Sequence, residues 1–312
     1  VHFFAKVNAN RQVMMNLRKL SQGTVAAVLL TALASASFAQ DAPKKEQADS
    51  AYSDFIGTEP KGPSKPTPRT AAGHPDLTGF WKGDRATKPV GNIGKDLPGF
   101  KLPLTPAGEA ALQHNLTATI DPESLCIIGG IPRHNASGLP FMVLQNDQFV
   151  AFLYFYSYYR LIPLDGRKHS DDPDPSFFGE EIGHWDGDTL VIDSIGFKDE
   201  KVWIDENANP HSDALHVVER WSRPDADHIH VETLIEDPKF YTRPFTYHRT
   251  WLAGRSDQVP GEYACSENNV DLTHLGFGPG AILPDGTRGY LNPAPLPPAI
   301  TPVRPAPAAT KQ

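Results

Sequence analysis

The sequence predicts a mainly β protein, an antiparallel up-and-down barrel of the lipocalin or calycin kind with one short helix before it. Three observations point there. From Phe141 onward the chain passes through successive aromatic and β-branched segments, several of them closed by turn dipeptides such as Asp165-Gly166 and Asp186-Gly187. Only one stretch carries helix signals. The strands are also so aromatic that open sheet edges would invite pairing with other chains, and closure into a barrel removes those edges.

The elements follow in order. Residues 1–39 read as a signal peptide: Arg18 and Lys19 precede the apolar run Val25 to Leu33, and small residues lead to a cleavage site after Ala39. That run is about half of the roughly 20 apolar residues a bilayer span needs, so no membrane span is expected. Residues 40–75 hold many Pro, Lys and Ser and few large apolar side chains, and read as a disordered tether. Thr105 can cap a helix with Pro106 at its first position, running to Asn115.

Strands follow from Phe149 to Leu164, then a hairpin from Glu181–Trp185 through Asp186-Gly187-Asp188 to Thr189–Phe197. A second hairpin runs from Leu215–Trp221 through residues 223–227 to Ile229–Glu236, and strands at Phe245–Leu252 and near Glu262–Cys265 complete the set. Residues 291–312 form a Pro/Ala-rich tail, extended rather than packed. One domain over residues 76–290 therefore carries the function.

Charge narrows the partners. Of the 312 residues 29 are Lys or Arg and 37 are Asp or Glu, a formal charge of −8. Cleavage after Ala39 removes Lys6, Arg11, Arg18 and Lys19 and no carboxylate, which leaves 25 cations against 37 anions, or −12. Such a chain has no basic footprint for nucleic acid and would be repelled by anionic lipid. The 2 cysteines, Cys126 and Cys265, would meet an oxidising compartment after export. One disulfide closing a long loop is the simplest reading; two free thiols are the alternative, and a Cys2His2 metal site lacks further ligands at the usual spacing.

No Walker loop, strand followed by GxGxxG, GxSxG elbow or HExxH is present, so no cofactor is expected and a serine hydrolase has no support. The candidates are side chains placed by the strands. Leu215, Val217, Glu219 and Trp221 share one face, which turns the Glu219 carboxylate toward the barrel interior, where it suits acid-base work or is held by an arginine such as Arg249. Phe152, Tyr154, Tyr156, Tyr158 and Arg160 share a face that could line a pocket for an aromatic or carboxylated ligand. His169 and His211 sit in loops beside Ser and near carboxylates, placed for proton transfer or for capping. His228, His230 and Glu232 alternate on one strand face and could bind a metal, although a solvated face looks the same.

The phrases GHWDGDTLVIDSIGF, HSDALHVVERWSRPDADHIHVETLIEDPKFYTRPF, EYACSENN and LCIIGGIPR together resemble a family of exported bacterial proteins described as hypothetical. The likeness covers most of Leu77 to Asn269. It implies a β-rich, lipocalin-like exported domain with Cys126 and Cys265 in matching segments, which supports the disulfide. It also draws attention to Arg160, His169, His211, Glu219, Asp237, Tyr241 and Arg243.

The expected function is a secreted, cofactor-independent hydrolase or lyase acting on a small aromatic or apolar molecule, such as a lignin-type aryl ether or an ester. Glu219 with His211 or His169 would be its acid and base, because an acid can protonate the leaving oxygen while a base activates water. Tyr154, Tyr156, Tyr158, Arg160, Tyr241, Arg243 and Arg249 would contact the substrate. The alternative is a lipocalin-like carrier that holds a hydrophobic molecule without chemistry, favoured if Glu219 and the two histidines lie apart.

Overall fold

The computed structural model describes residues 56–83, 91–199 and 202–265, together with the backbone of 278–282 and 288–291. The expected leader, the start of the tether and nearly all of the tail lie outside the described residues. Nine strands form one sheet: β1 (Gly79–Gly83), β2 (Phe141–Gln145), β3 (Phe149–Tyr154), β4 (Tyr159–Pro163), β5 (Glu180–Asp186), β6 (Thr189–Ile195), β7 (His216–Ser222), β8 (His228–Glu236) and β9 (Phe245–Ala253). Their order is β4-β3-β2-β1-β9-β8-β7-β6-β5, every neighbour antiparallel. This is the expected up-and-down meander, nearly closed. The first and last strands of the meander, β1 and β9, are hydrogen-bonded, and the seam falls between β4 and β5.

The seam has a simple cause. With nine antiparallel strands the two outer ones must run in the same direction, so they cannot continue the antiparallel ladder. Side chains close the gap instead. Arg160 on β4 donates from Nε to Glu181 Oε1 on β5 at 2.6 Å. Gly183 has no Cβ because one would lie 2.7 Å from Ile162 Cγ2 and 2.9 Å from Leu164 Cδ2.

Alternation places the inner face as the sequence predicts: Leu215, Val217, Glu219 and Trp221 are all buried. The interior is filled by aromatic side chains, including Trp81, Phe141, Phe152, Trp221 and Trp251. Phe141 meets Trp251 edge-on at 4.6 Å between centroids, a favoured aromatic geometry. A short helix that sequence reasoning missed, α2 (Arg133–Ser137), enters one end with all five residues buried. The earlier helix, α1 (Pro106–Ala118), has Thr105 Oγ1 accepting from the Gly108 N–H at 3.1 Å, as its cap signal predicts.

Three readings need correction. The aromatic run 149–164 is a hairpin, because Ser157 takes a left-handed conformation (φ 61°) and turns the chain between β3 and β4. Tyr154 and Arg160 nonetheless share the inner face, since the register pairs Phe152 with Arg160 and partners in a hairpin point the same way. No strand forms at 262–265; the last strands are a separate hairpin of β10 (Gly278–Ile282) and β11 (Arg288–Leu291). Residues 56–75, expected as free tether, lie along the barrel at its other end. Thr67 Oγ1 donates to Arg223 O at 2.9 Å, Arg69 binds Asp188 bidentately at 2.7 and 2.6 Å, and His74 stacks on Trp185 at 4.5 Å.

Cys126 and Cys265 form a disulfide with Cα atoms 5.5 Å apart, 139 residues separated in sequence. No helix among the described residues is long and apolar enough to cross a membrane.

Candidate functional site

Glu219 points into the barrel and has no exposed surface. One carboxylate oxygen accepts from Asn135 Nδ2 on α2, and the other accepts from an Arg160 terminal nitrogen at 2.5 Å. Arg160 also reaches Tyr154 Oη at 3.2 Å, and Tyr154 donates to Asn135 Oδ1 at 2.9 Å. The result is a sealed network of one guanidinium, two carboxylates, a phenol and an amide. Arg160 is the ion-pair partner of Glu219, and Arg249 donates to the Ala136 carbonyl at the end of α2. Burial pushes the Glu181 carboxyl up to about 7, against the pull of the Arg160 charge.

His134, next to this network, is buried among Tyr154, Tyr156, Tyr158 and Phe178. Burial, reinforced by the charges of Arg133 and Arg160, lowers its pKa from 6.5 to about 3. Unfolding therefore lets His134 take up a proton between pH 3 and 6.5, so its contribution to stability is lost as the pH falls through that window. Glu181 acts oppositely: it keeps a proton when folded and loses it when unfolded between 4.5 and about 7, so its contribution falls as pH rises. The two cancel between pH 4.5 and 6.5. Below 4.5 only the histidine acts, at about 1.4 kcal/mol per pH unit, or about 2 kcal/mol by pH 3. Urea midpoints across pH 3–6.5 are expected to show this acid loss in the native chain and a shallower one in His134→Gln.

His169 lies on the opposite face of the sheet from Glu219. Its Nε2 lies 3.0 Å from Asp193 Oδ1, and His216 Nε2 meets the same oxygen at 3.0 Å. His216 is held further by Glu236 at 2.8 Å. These are links that fasten the loop before β5 to the outside of the barrel.

His211 occupies a third environment, at the end of the barrel where α1 and the β6–β7 and β8–β9 loops meet. There a pocket of about 550 Å³ opens between Ala111 and Ala118 of α1, Ile120, Trp203, His211 and Phe240. Its walls are positioned by a few strong contacts. Residues 202–211 are buried throughout, and a buried loop must find partners for its backbone. Asp205 supplies them, accepting from the N–H groups of Ile93, Asn207 and Asn209 at 3.1, 2.8 and 3.2 Å. Asn115 Nδ2 on α1 donates to Ala208 O at 3.0 Å, and Leu112 and Leu116 pack against Trp203 and Ala208.

Asp237 clamps the other side. It accepts from Ser212 N and Oγ at 2.6 and 2.7 Å, and from Phe240 N at 3.2 Å, so one carboxylate fixes the wall residue Phe240 and the neighbour of the wall residue His211. Tyr241 Oη donates to Pro210 O at 2.6 Å. Tyr241 is thus a buried strut behind the pocket, while Arg243 is exposed and donates to the Pro244 carbonyl at 3.2 Å.

Tyr156 and Tyr158 line a smaller pocket of about 240 Å³ beside the disulfide, with Arg133, Asp121, Glu123 and Tyr263. Arg133 is the buried centre there, bound to Asp121 at 2.7 Å and to Glu123 at 3.0 Å. His228, His230 and Glu232 share the outer face of β8, but His228 is held by Asp225 at 2.8 Å and Glu232 by His248 at 3.3 Å. Among the described residues no three His, Cys, Asp or Glu side chains are placed to hold a metal ion.

The expected acid-base set is therefore not assembled: Glu219 is sealed inside the barrel, His169 is on the outer face and His211 is in the end pocket. Comparison with protein-family models, curated proteins and solved structures finds no match to this chain. Sequence reasoning missed Asn135, Glu181 and His134 in the interior, and Trp203 and Phe240 in the pocket. One signal for the pocket was present: Ala111, Asn115 and Ala118 put small or amide side chains on one face of α1, beside the Leu112 and Leu116 pair that packs.

Proposed function

We propose that this is an exported binding protein for a small, largely apolar aromatic molecule, and that the ligand occupies the end pocket rather than the barrel interior. The observation that carries the reading is the pocket itself, about 550 Å³, walled by Trp203, Phe240, Ile120 and the alanines of α1, with His211 among few polar groups. That volume and lining match small-molecule sites in general. The separation of Glu219 from both loop histidines favours a carrier over acid-base catalysis by that set. The disulfide supports export, as do the signal-peptide pattern and the resemblance to exported bacterial proteins.

A hydrolase or lyase reading keeps one foothold, because His211 in the same pocket could accept a proton from a bound substrate. Extraction and mass spectrometry separate the two: a carrier returns its ligand unmodified.

The direct test is titration of the disulfide-intact chain with 4-methoxybiphenyl, followed by tryptophan fluorescence. Saturable binding is expected, weakened at least about tenfold by Ala111→Trp, which fills the pocket from the half-buried face of α1. Absence of saturable binding to the native chain, or equal binding by a folded Ala111→Trp, contradicts the proposal.

A further inference from the structure

The polar groups of the end pocket specify more than an apolar ligand. His211 Nδ1 lies 3.1 Å from the Ser212 carbonyl oxygen. A carbonyl oxygen only accepts, so Nδ1 carries the hydrogen, and in the neutral ring Nε2 is left with a lone pair. Nε2 makes no hydrogen bond among the described residues, yet it is not among the sealed unpaired atoms, so its lone pair opens on the pocket that the ring lines. Burial lowers the pKa of this imidazole, which keeps the ring neutral and an acceptor. The ring cannot swing away: Phe197 packs edge-on against it at 6.4 Å, and Asp237 holds Ser212 through two hydrogen bonds.

The second acid-base group lining the pocket near this ring is Asp199, whose carboxylate is also an acceptor. On the α1 side, Asn115 Nδ2 spends one of its two hydrogens on Ala208 O and the Thr119 hydroxyl donates to Asn115 O, with the exposed His114 further along the helix. Around His211 the pocket therefore presents acceptors, Nε2 and the Asp199 carboxylate, set in an apolar wall. That side of the site rewards a ligand whose donor reaches Nε2 and disfavours an anion placed beside Asp199.

We propose that the end pocket selects a neutral aromatic ligand bearing a free hydroxyl, a phenol or aryl alcohol, whose O–H donates to His211 Nε2. This rests on the binding reading above and assigns His211 as the specificity-determining residue of that site. A methyl ether of the same ring system fits the wall but brings no hydrogen, and a carboxylate brings negative charge toward Asp199 and a lone pair.

The experiment compares 4-phenylphenol, 4-methoxybiphenyl and biphenyl-4-carboxylate by calorimetric titration of the full, disulfide-intact chain at pH 7.5. The phenol is expected to bind about tenfold more tightly than the ether, and the carboxylate more weakly than either. In His211→Phe, which keeps a ring against Phe197 but has no lone pair, phenol and ether are expected to bind equally. Equal binding of phenol and ether to the native chain overturns the inference while leaving the binding function intact. Binding of none of the three overturns both. If His211→Phe does not fold, the native comparison decides alone.

Discussion

Arg160→Met is expected to cost about 3–5 kcal/mol of folding stability at neutral pH, the range for removing one member of a buried ion network. The side chain is fully buried, and it neutralises Glu181 on β5 and Glu219 on β7 from its place on β4. Without it Glu219 loses its cation, the Glu181 carboxyl is pushed up beyond its present value of about 7, and the link that draws the seam together is gone. The cost is expected to shrink as the pH falls through about 7, where the Glu181 carboxyl takes up a proton. A triple variant, Arg160→Met with Glu181→Gln and Glu219→Gln, is expected to recover most of the loss, because the buried charges leave together. Urea unfolding of the native chain and the two variants checks this. A native-like midpoint for Arg160→Met alone would show that the network does not hold the seam.

Loss of the Cys126–Cys265 bridge has the second large effect. The bridge closes a loop spanning 139 residues of sequence. Chain-entropy arguments place such closure at about 4–5 kcal/mol, an upper estimate because the unfolded chain keeps some structure. It also ties the segment after β9 to the 3-10 turn Pro122–Leu125, next to the smaller pocket. Cys126→Ser/Cys265→Ser is expected to unfold at lower urea than the native chain, and the reduced native chain is expected to match it. Identical midpoints with and without reductant would show that the bridge contributes nothing to stability.

Much of the barrel was legible because a strand's face follows from parity alone. Once Glu219 fell between Val217 and Trp221 on an alternating strand, its inward direction was fixed, and so was that of Arg160 from Phe152 and Tyr154. The same parity survived the hairpin that the aromatic run conceals, since β3 and β4 pair residues of equal parity. What parity cannot supply is which inward groups meet. Arg160 and Arg249 both face inward, and only the seam between β4 and β5 decides that Arg160 takes the two glutamates.

The segment Ile131–Gly138 was illegible for a different reason. It carries Arg133, His134, Asn135 and Ser137, a polar run that by composition belongs on a surface. It is buried because its strongest polar groups meet complementary ones: the Arg133 terminal nitrogens meet Asp121, Asn135 meets Glu219 and Tyr154, and Ser137 meets the His134 carbonyl, while Arg133 Nε and His134 Nε2 are sealed in without a hydrogen bond among the described residues. The end pocket was hidden likewise, since its walls come from α1, residues 202–211 and Phe240, which no local pattern joins. His211 was singled out by its neighbours Ser212 and Asp213, yet the carboxylate that matters is Asp237, 25 residues from the Ser212 it holds.

Imidazole NMR of the full, oxidised chain labelled in histidine, titrated with 4-phenylphenol, tests most directly whether the ligand enters the end pocket. The expected result is a saturable shift of the His211 resonances, a smaller one at His114 on the pocket rim, and no change at His134 inside the barrel. Saturable binding that moves His134 and leaves His211 untouched would place the ligand in the interior and contradict the account.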